Sequence, residues 1–263
     1  MKGLGHNKPF ITLTTDWGQH DYYTAMLKGG LLSAYPEASI IDLSHDIPSF
    51  SLHSAAFIVK QGFQYFPKGS IHLILVNSEA SLSSRILVTY FQDHYFVIPD
   101  NGILGLIFST IPDDVFAIPY VADGSFASLT AYVKAIETIC SSEDLISSNL
   151  RITDFDQKIA LRATIDESVI TGSIIYIDSY RNAITNISKK LFERVGQNRG
   201  YNIYVQSNHN KISKLSTTYN QVDPGELLGI FNSANLLEIA IRNGYAAELL
   251  SLRIGGSVRV NFQ

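Results

Sequence analysis

The sequence predicts an α/β fold: an N-terminal domain built on a parallel sheet, followed by a smaller C-terminal all-β, barrel-like domain. Three observations predict it. Short apolar runs alternate with helical patterns over residues 11 to about 140. Several runs are continuously apolar, such as Ile74-Leu75-Val76, as strands buried on both faces are. Past roughly residue 155, closely spaced strand-like runs follow one another between turn signals.

The first strand covers Ile11–Thr15 and breaks off at Asp16-Trp17-Gly18; a helical pattern then runs from Tyr22 to Tyr35. The second strand, Ser39–Leu43, leads into a helix over Leu52–Phe66, where Ala55, Ile58, Val59, Gly62 and Phe66 recur at three-to-four spacing. Strands follow at Ile71–Val76, Ile86–Phe91, Tyr95–Ile98 and Val115–Ile118, and a helix at Phe126–Cys140. Strand, helix, strand, helix, strand over the first 76 residues reads as a parallel sheet covered by helices. Gly29-Gly30 in the first helix reads as a close helix–sheet contact, since neither a P-loop nor a G-x-G-x-x-G is present. In the C-terminal part the strands are Val169–Ile177, Ala183–Ile187, Tyr201–Val205, Leu228–Asn232, Leu237–Ile241 and Ser257–Phe262. The seam is expected at Thr164–Thr171, giving domains of residues 1–160 and 165–263.

Composition narrows the function classes. With 46% hydrophobic and 17% charged residues in 263, the chain is an ordinary globular one. A net charge of −4 with scattered Lys and Arg gives no nucleic-acid footprint and no polybasic membrane patch. The single cysteine, Cys140, lies on the apolar face of a helical stretch and reads as buried and inert. MKGLGHNKPF lacks an apolar h-region, and no run reaches the roughly 18 apolar residues of a membrane span, so the cytoplasm is the expected compartment.

A strand that ends in a carboxylate and a glycine before a helix marks the place where open α/β sheets hold ligands. Asp16, ionised, offers two acceptor oxygens and no donor, which suits a cis-diol such as a ribose. By position alone it serves equally well as a helix cap. Four more segments stand out: Asp42-Leu43-Ser44-His45-Asp46-Ile47-Pro48, Pro99-Asp100-Asn101-Gly102, Asp178-Ser179-Tyr180-Arg181-Asn182 with Thr185-Asn186-Ile187, and Asn232-Ser233-Ala234-Asn235-Leu236-Leu237-Glu238-Ile239-Ala240. Singly, each is a turn or a strand end. His45 reads as a strand-end residue bonded to its surroundings, without a second His or Cys at metal-ligand spacing. Trp17 reads as packing, and His20 as an exposed loop residue.

In order and spacing these segments, together with Thr14-Thr15-Asp16-Trp17-Gly18 and Asp21, resemble the S-adenosylmethionine hydroxide adenosyltransferases and their relatives, the fluorinases and chlorinases. The resemblance runs from Ile11 to Phe262. It implies an N-terminal α/β and a C-terminal β domain, a homotrimer, no cofactor or metal, and a small molecule, S-adenosylmethionine, whose 5′ carbon loses methionine to a small nucleophile. It further implies that Asp16 holds the ribose diol, that Phe50 flanks the sugar, and that Asp21 and Asp178 face the cationic methionine end. Asn182 would bond the adenine edge, Tyr180 would stack on the base, and Ser233 would meet the amino-acid carboxylate.

The match fails at the nucleophile. The hydrolytic members hold water with an Asp-Arg-His set; here Asn77, Ser84 and Ala127 stand in those places, and only a neighbouring arginine, Arg85, survives. Where the halogenating members contact halide, Ser128 is retained but Ala80 replaces a threonine. Glu79, the one acid in the altered loop, is the candidate substitute base, with Arg85 expected to orient it. Three readings stay open: hydrolysis of S-adenosylmethionine to adenosine and methionine, a catalytically silent S-adenosylmethionine or adenosine binder, and a halide-dependent adenosyltransferase.

Overall fold

A computed structural model describes residues 8–80, 85–121, 123–124, 126–141 and 150–263. The chain divides into two units, Met1–Ala160 and Leu161–Gln263.

The first unit runs β1 (Phe10–Thr15), α1 (Tyr22–Ala34), β2 (Ser39–Ser44), α2 (Leu52–Gly62), β3 (Ile71–Leu75), β4 (Arg85–Phe91), β5 (His94–Pro99), α3 (Ile103–Ile107), β6 (Val115–Pro119), α4 (Leu129–Cys140) and β7 (Arg151–Ile152). Its sheet has the order β2-β1-β3-β5-β4-β6-β7. β1 pairs in parallel with β2 and β3, and β3 with β5. β4 is antiparallel to both β5 and β6, so the sheet as a whole is mixed. The cause is local: only Gln92 and Asp93 link β4 to β5, at φ 48° and 66°. Two residues with positive φ close a hairpin, whereas a parallel crossover needs a dozen or more.

Successive strand residues point to opposite faces, and each face has its own core. Leu73, Leu75 and Val97 join Leu27 and Leu31 of α1 and Tyr132, Ala135 and Ile136 of α4. Ile74, Val76, Phe96 and Ile98 join Ala55, Ala56 and Val59 of α2 and Leu104 and Ile107 of α3. α2 stops at Gly62, short of the expected Phe66, and Phe63–Tyr65 form a 3-10 turn. Pro67 follows, and the residue before a proline is biased away from helix. A Cβ on Gly62 would also lie 2.9 Å from Leu43 Cδ1. α4 begins at Leu129, three residues later than expected. Gly29 and Gly30 mark no close helix–sheet contact: a Cβ would meet nothing within 4 Å at Gly29 and only Val133 of α4, at 3.8 Å, at Gly30. Cys140 is buried, and burial pushes its thiol up to about 11.

The second unit runs β8 (Thr164–Asp166), β9 (Val169–Ile177), β10 (Ala183–Ser188), α5 (Lys189–Gly196), β11 (Tyr201–Val205), β12 (Ser207–Ile212), β13 (Leu215–Ser216), β14 (Leu227–Phe231), β15 (Leu236–Ile241), α6 (Ala246–Leu249) and β16 (Ser257–Phe262). The strands form one curled, nearly closed sheet, β12-β11-β16-β9-β10-β15-β14-β13, with β8 on β9. Its core holds Ile170, Ile187, Val205, Leu237, Ile239 and Val260. Two short helices qualify the all-β expectation. α5 is capped by Ser188, whose Oγ accepts from Leu191 N, and it inserts Phe192 into the core. The expected seam, Thr164–Thr171, is a hairpin of this unit, with Thr164 opposite Thr171. Among the described residues no helix is long and apolar enough to cross a membrane.

Candidate functional site

The order β2-β1-β3 reverses the direction of winding at β1. Such a switch point leaves a crevice outside the carboxyl ends of the two diverging strands. Asp16 follows β1 directly and Asn77 lies just past β3. Asp16 is not the cap of α1: that position belongs to Asp21, and no side-chain bond is made there. Instead Asp16 Oδ2 accepts the backbone N–H groups of Phe50 at 2.8 Å and Asn77 at 3.3 Å. Among the described residues no donor reaches Oδ1.

The loops around this carboxylate are tightly determined. Gly18 N donates to the His45 carbonyl at 2.8 Å, and His45 Nδ1 lies 2.8 Å from Thr15 Oγ1. His45 Nε2 is 3.0 Å from Asp42 Oδ1 but out of line for a hydrogen bond. Burial raises the Asp42 carboxyl, but the hydrogen bond from Lys28 and the closeness of the His45 and Lys28 side chains outweigh it and hold the group below its ordinary range. Register slips between Leu13 and Thr14 against β2, a bulge beside the crevice. Phe50 has φ 66° and is 72% exposed. A large aromatic in the left-handed region, open to solvent beside a carboxylate, is a residue held for something other than packing.

The Pro99-Asp100-Asn101-Gly102 segment supports the crevice from below. Asn101 Nδ2 donates to the Val76 and Asn77 carbonyls, each at 3.1 Å, fixing the loop that carries Asn77. Asp100 accepts Arg85 Nε at 2.6 Å and Asp156 N at 2.8 Å. Gly102 has φ +91°, and a Cβ there would sit 2.6 Å from Lys158 Cγ. Arg85 also donates to the Asp154 carbonyl at 2.7 Å. Arg85, the expected orienter of Glu79, is bonded to Asp100 and Asp154. Ser128 donates to Glu79: Oγ at 2.5 Å and N at 3.4 Å, both to Oε1. Ser128 is fully buried at the start of α4, so it is not a free halide donor either. Ser84, Ser125 and the Ala80 side chain lie outside the described residues.

Glu79 and Asp16 belong to one neighbourhood. Tyr132 donates to the Ile74 carbonyl at 3.0 Å, and burial pushes its phenol well above the ordinary value. Tyr120, Glu79 and Asp16 push it the same way. The Tyr120 phenol is raised by burial and then by Glu79. Beside them Trp17 stands edge-on to Phe126 at 5.1 Å, with Tyr23 6.0 Å from Trp17. Trp17 thus packs, as expected, while Asp21 and His20 are exposed.

In the second unit, Asp178 and Asn182 close one turn: Asn182 N donates to Asp178 Oδ1 at 2.8 Å and Asn182 Nδ2 to Oδ2 at 3.4 Å. Tyr180, at the tip, is exposed, and so is Ser233. Sequence reading missed the group behind them. Glu238, buried on β15, accepts Tyr219 Oη at 2.7 Å and Asn232 Nδ2 at 3.1 Å. Burial raises its carboxyl against the hydrogen bonds of Tyr219, Asn232 and Asn182, and Asp178 adds to the rise. The signal was present: an acid inside the otherwise apolar run Leu236–Ile241 needs buried donors. Among the described residues no group of three or more His, Cys, Asp or Glu is arranged to hold a metal ion.

Residues 11–142 match the N-terminal domain model of the SAM hydroxide adenosyltransferases, and residues 172–259 match the C-terminal one. The chain belongs to the SAM hydroxide adenosyltransferase family. Among its relatives, a Methanocaldococcus jannaschii protein named (R)-S-adenosyl-L-methionine hydrolase is 27% identical over 185 residues, 68% of this chain and 67% of that one. A Thermus thermophilus protein of the same name is 24% identical, covering 95% of this chain and 98% of its own. The crystal structure of an uncharacterized conserved protein from Thermotoga maritima agrees in fold, with TM-score 0.83 at 23% identity, covering 96% and 99% of the two chains. The two family models together span residues 11 to 259, the stretch that carries both Asp16 and Glu238.

Proposed function

We propose that this chain binds S-adenosylmethionine and hydrolyses it to adenosine and methionine. The observation that carries the reading is Asp16 at the β1/β3 switch point, with Oδ2 pinned by two backbone N–H groups and no donor on Oδ1 among the described residues. A carboxylate oriented in this way is an acceptor for a vicinal diol. The relatives named as hydrolases support the reaction class. Phe50 covers the sugar, Asp21 and Asp178 attract the sulfonium and ammonium, Asn182 and Tyr180 hold the base, and Ser233 the amino-acid carboxylate. Methionine leaves a sulfonium as a neutral thioether, so no acid is required and the reading needs no cofactor or metal. The working assembly in this reading is a homotrimer, and the compartment is the cytoplasm.

A second reading, a silent binder, is favoured by Asn77 and Ala127 standing where the hydrolytic members carry Asp and His. Incubation with S-adenosylmethionine separates the two. Adenosine and methionine in equal amounts support hydrolysis; retention of intact ligand without turnover supports the binder.

A further inference from the structure

We propose that Glu79, held by Ser128, is the group that takes the proton of the attacking water, and that its charge makes the site refuse halide. This rests on the hydrolytic reading above. The buried Ser128 sends both its hydroxyl and its backbone N–H to one oxygen of Glu79. That oxygen also sits at the start of the 12-residue helix α4, where the aligned peptide dipoles favour an anion. Oε1 is thereby fixed, and among the described residues no donor reaches Oε2, the oxygen we assign to the water. Glu79 is two residues beyond Asn77, whose N–H holds Asp16, and the carboxylates of Glu79 and Asp16 both act on the Tyr132 phenol. A fixed acceptor in the neighbourhood of the group that holds the sugar can do the work of the absent Asp-Arg-His set.

The step balances. The water oxygen attacks the 5′ carbon as the carbon–sulfur bond breaks, and that electron pair leaves on the sulfur of neutral methionine. The water proton passes to Glu79 Oε2 and then to solvent. A halide at the same point would face the carboxylate, and the two Ser128 donors are already bonded to Oε1.

Ser128 is a positioning residue in this scheme, and its test must separate position from fold. Wild-type protein is assayed for adenosine release with S-adenosylmethionine over a pH series, with and without chloride. Glu79→Gln should lower kcat by about 100-fold or more, the scale of a lost general base, with KM nearly unchanged and the acidic limb of the rate profile gone. Ser128→Ala should lower kcat and displace that limb, and Ser128→Thr should restore both. Thermal stabilisation by adenosine should persist in Glu79→Gln, showing an intact pocket. Unchanged kcat in Glu79→Gln, or wild-type formation of 5′-chloro-5′-deoxyadenosine, overturns the proposal while the adenosyl-binding reading stands. Wild-type protein that binds but releases no adenosine overturns both the proposal and the hydrolytic reading.

Discussion

The carboxylate of Asp16 holds the backbone of Phe50: Oδ2 accepts the Phe50 N–H at 2.8 Å, and that residue has φ 66° with its ring 72% exposed. The residue expected to bind the sugar is therefore also the one that fixes its aromatic neighbour. Binding and loop order should fail together when Asp16 is removed.

Asp16→Ala should lose about 1.5–3 kcal/mol of adenosine affinity, the usual worth of a hydrogen bond to a charged group. Asp16→Asn can still accept the Phe50 N–H, so it should keep most of the melting temperature while binding adenosine weakly. Calorimetry and thermal melts on both variants check the separation. Equal affinity in wild type and Asp16→Ala would remove Asp16 from the site.

Acid should destabilise the first unit through a buried pair. Thr12 Oγ1 lies 2.7 Å from His72 Nδ1, and His72 Nε2 lies 3.1 Å from His94 Nδ1. Burial, then the charge of His94, lowers His72 from 6.5 to about 3. The unfolded chain then binds more protons than the folded one between those values, so stability falls as pH drops through that window. At up to 1.36 kcal/mol per unit, with the unfolded imidazole half protonated at pH 6.5, His72 contributes a loss of roughly 2 kcal/mol between pH 6.5 and 4.5. Urea melts of wild type and His72→Gln across that range should show a shallower pH slope in the variant; parallel slopes would contradict it.

Two glycines should respond in opposite senses. Gly29→Ala, in a helix with nothing within 4 Å of the new Cβ, should stabilise by about 0.5–1 kcal/mol. Gly102→Ala, at φ +91° against Lys158, should destabilise by about 1–3 kcal/mol. Denaturant midpoints measure both.

Glu238→Ala should cost about 2–4 kcal/mol, because Tyr219 Oη and Asn232 Nδ2 lose a buried acceptor. The folded-state carboxyl of Glu238 is raised, so its contribution to stability shrinks as pH rises through the window above its ordinary value. The Glu238→Gln variant should lose that pH dependence; an unchanged pH–stability curve would contradict it.

Much of this was legible in the sequence because it is local. The break at Asp16-Trp17-Gly18, the period of α2 and the continuous apolar strands each follow from a short window. Arg85 with Asp100 was not read, although a two-residue turn at Gln92-Asp93 would have set Ile86 against Pro99 and so brought the pair together. The Ser128–Glu79 bond spans 49 residues and depends on where α4 begins, three residues later than the pattern suggests. Tyr219 reaches Glu238 from the link between β13 and β14, 19 residues away, which no local periodicity records. α5 escaped notice because half of its eight residues are charged and it has little apolar pattern beyond Leu191, Phe192 and Val195.

Titration of adenosine and of 2′,3′-dideoxyadenosine into the wild-type protein tests the role of Asp16 most directly. Adenosine should bind, and the analogue without the diol should bind at least about 10-fold more weakly, the effect of losing roughly 1.4 kcal/mol. Equal affinities, or no binding of adenosine at millimolar concentration, would contradict a ribose seated on Asp16.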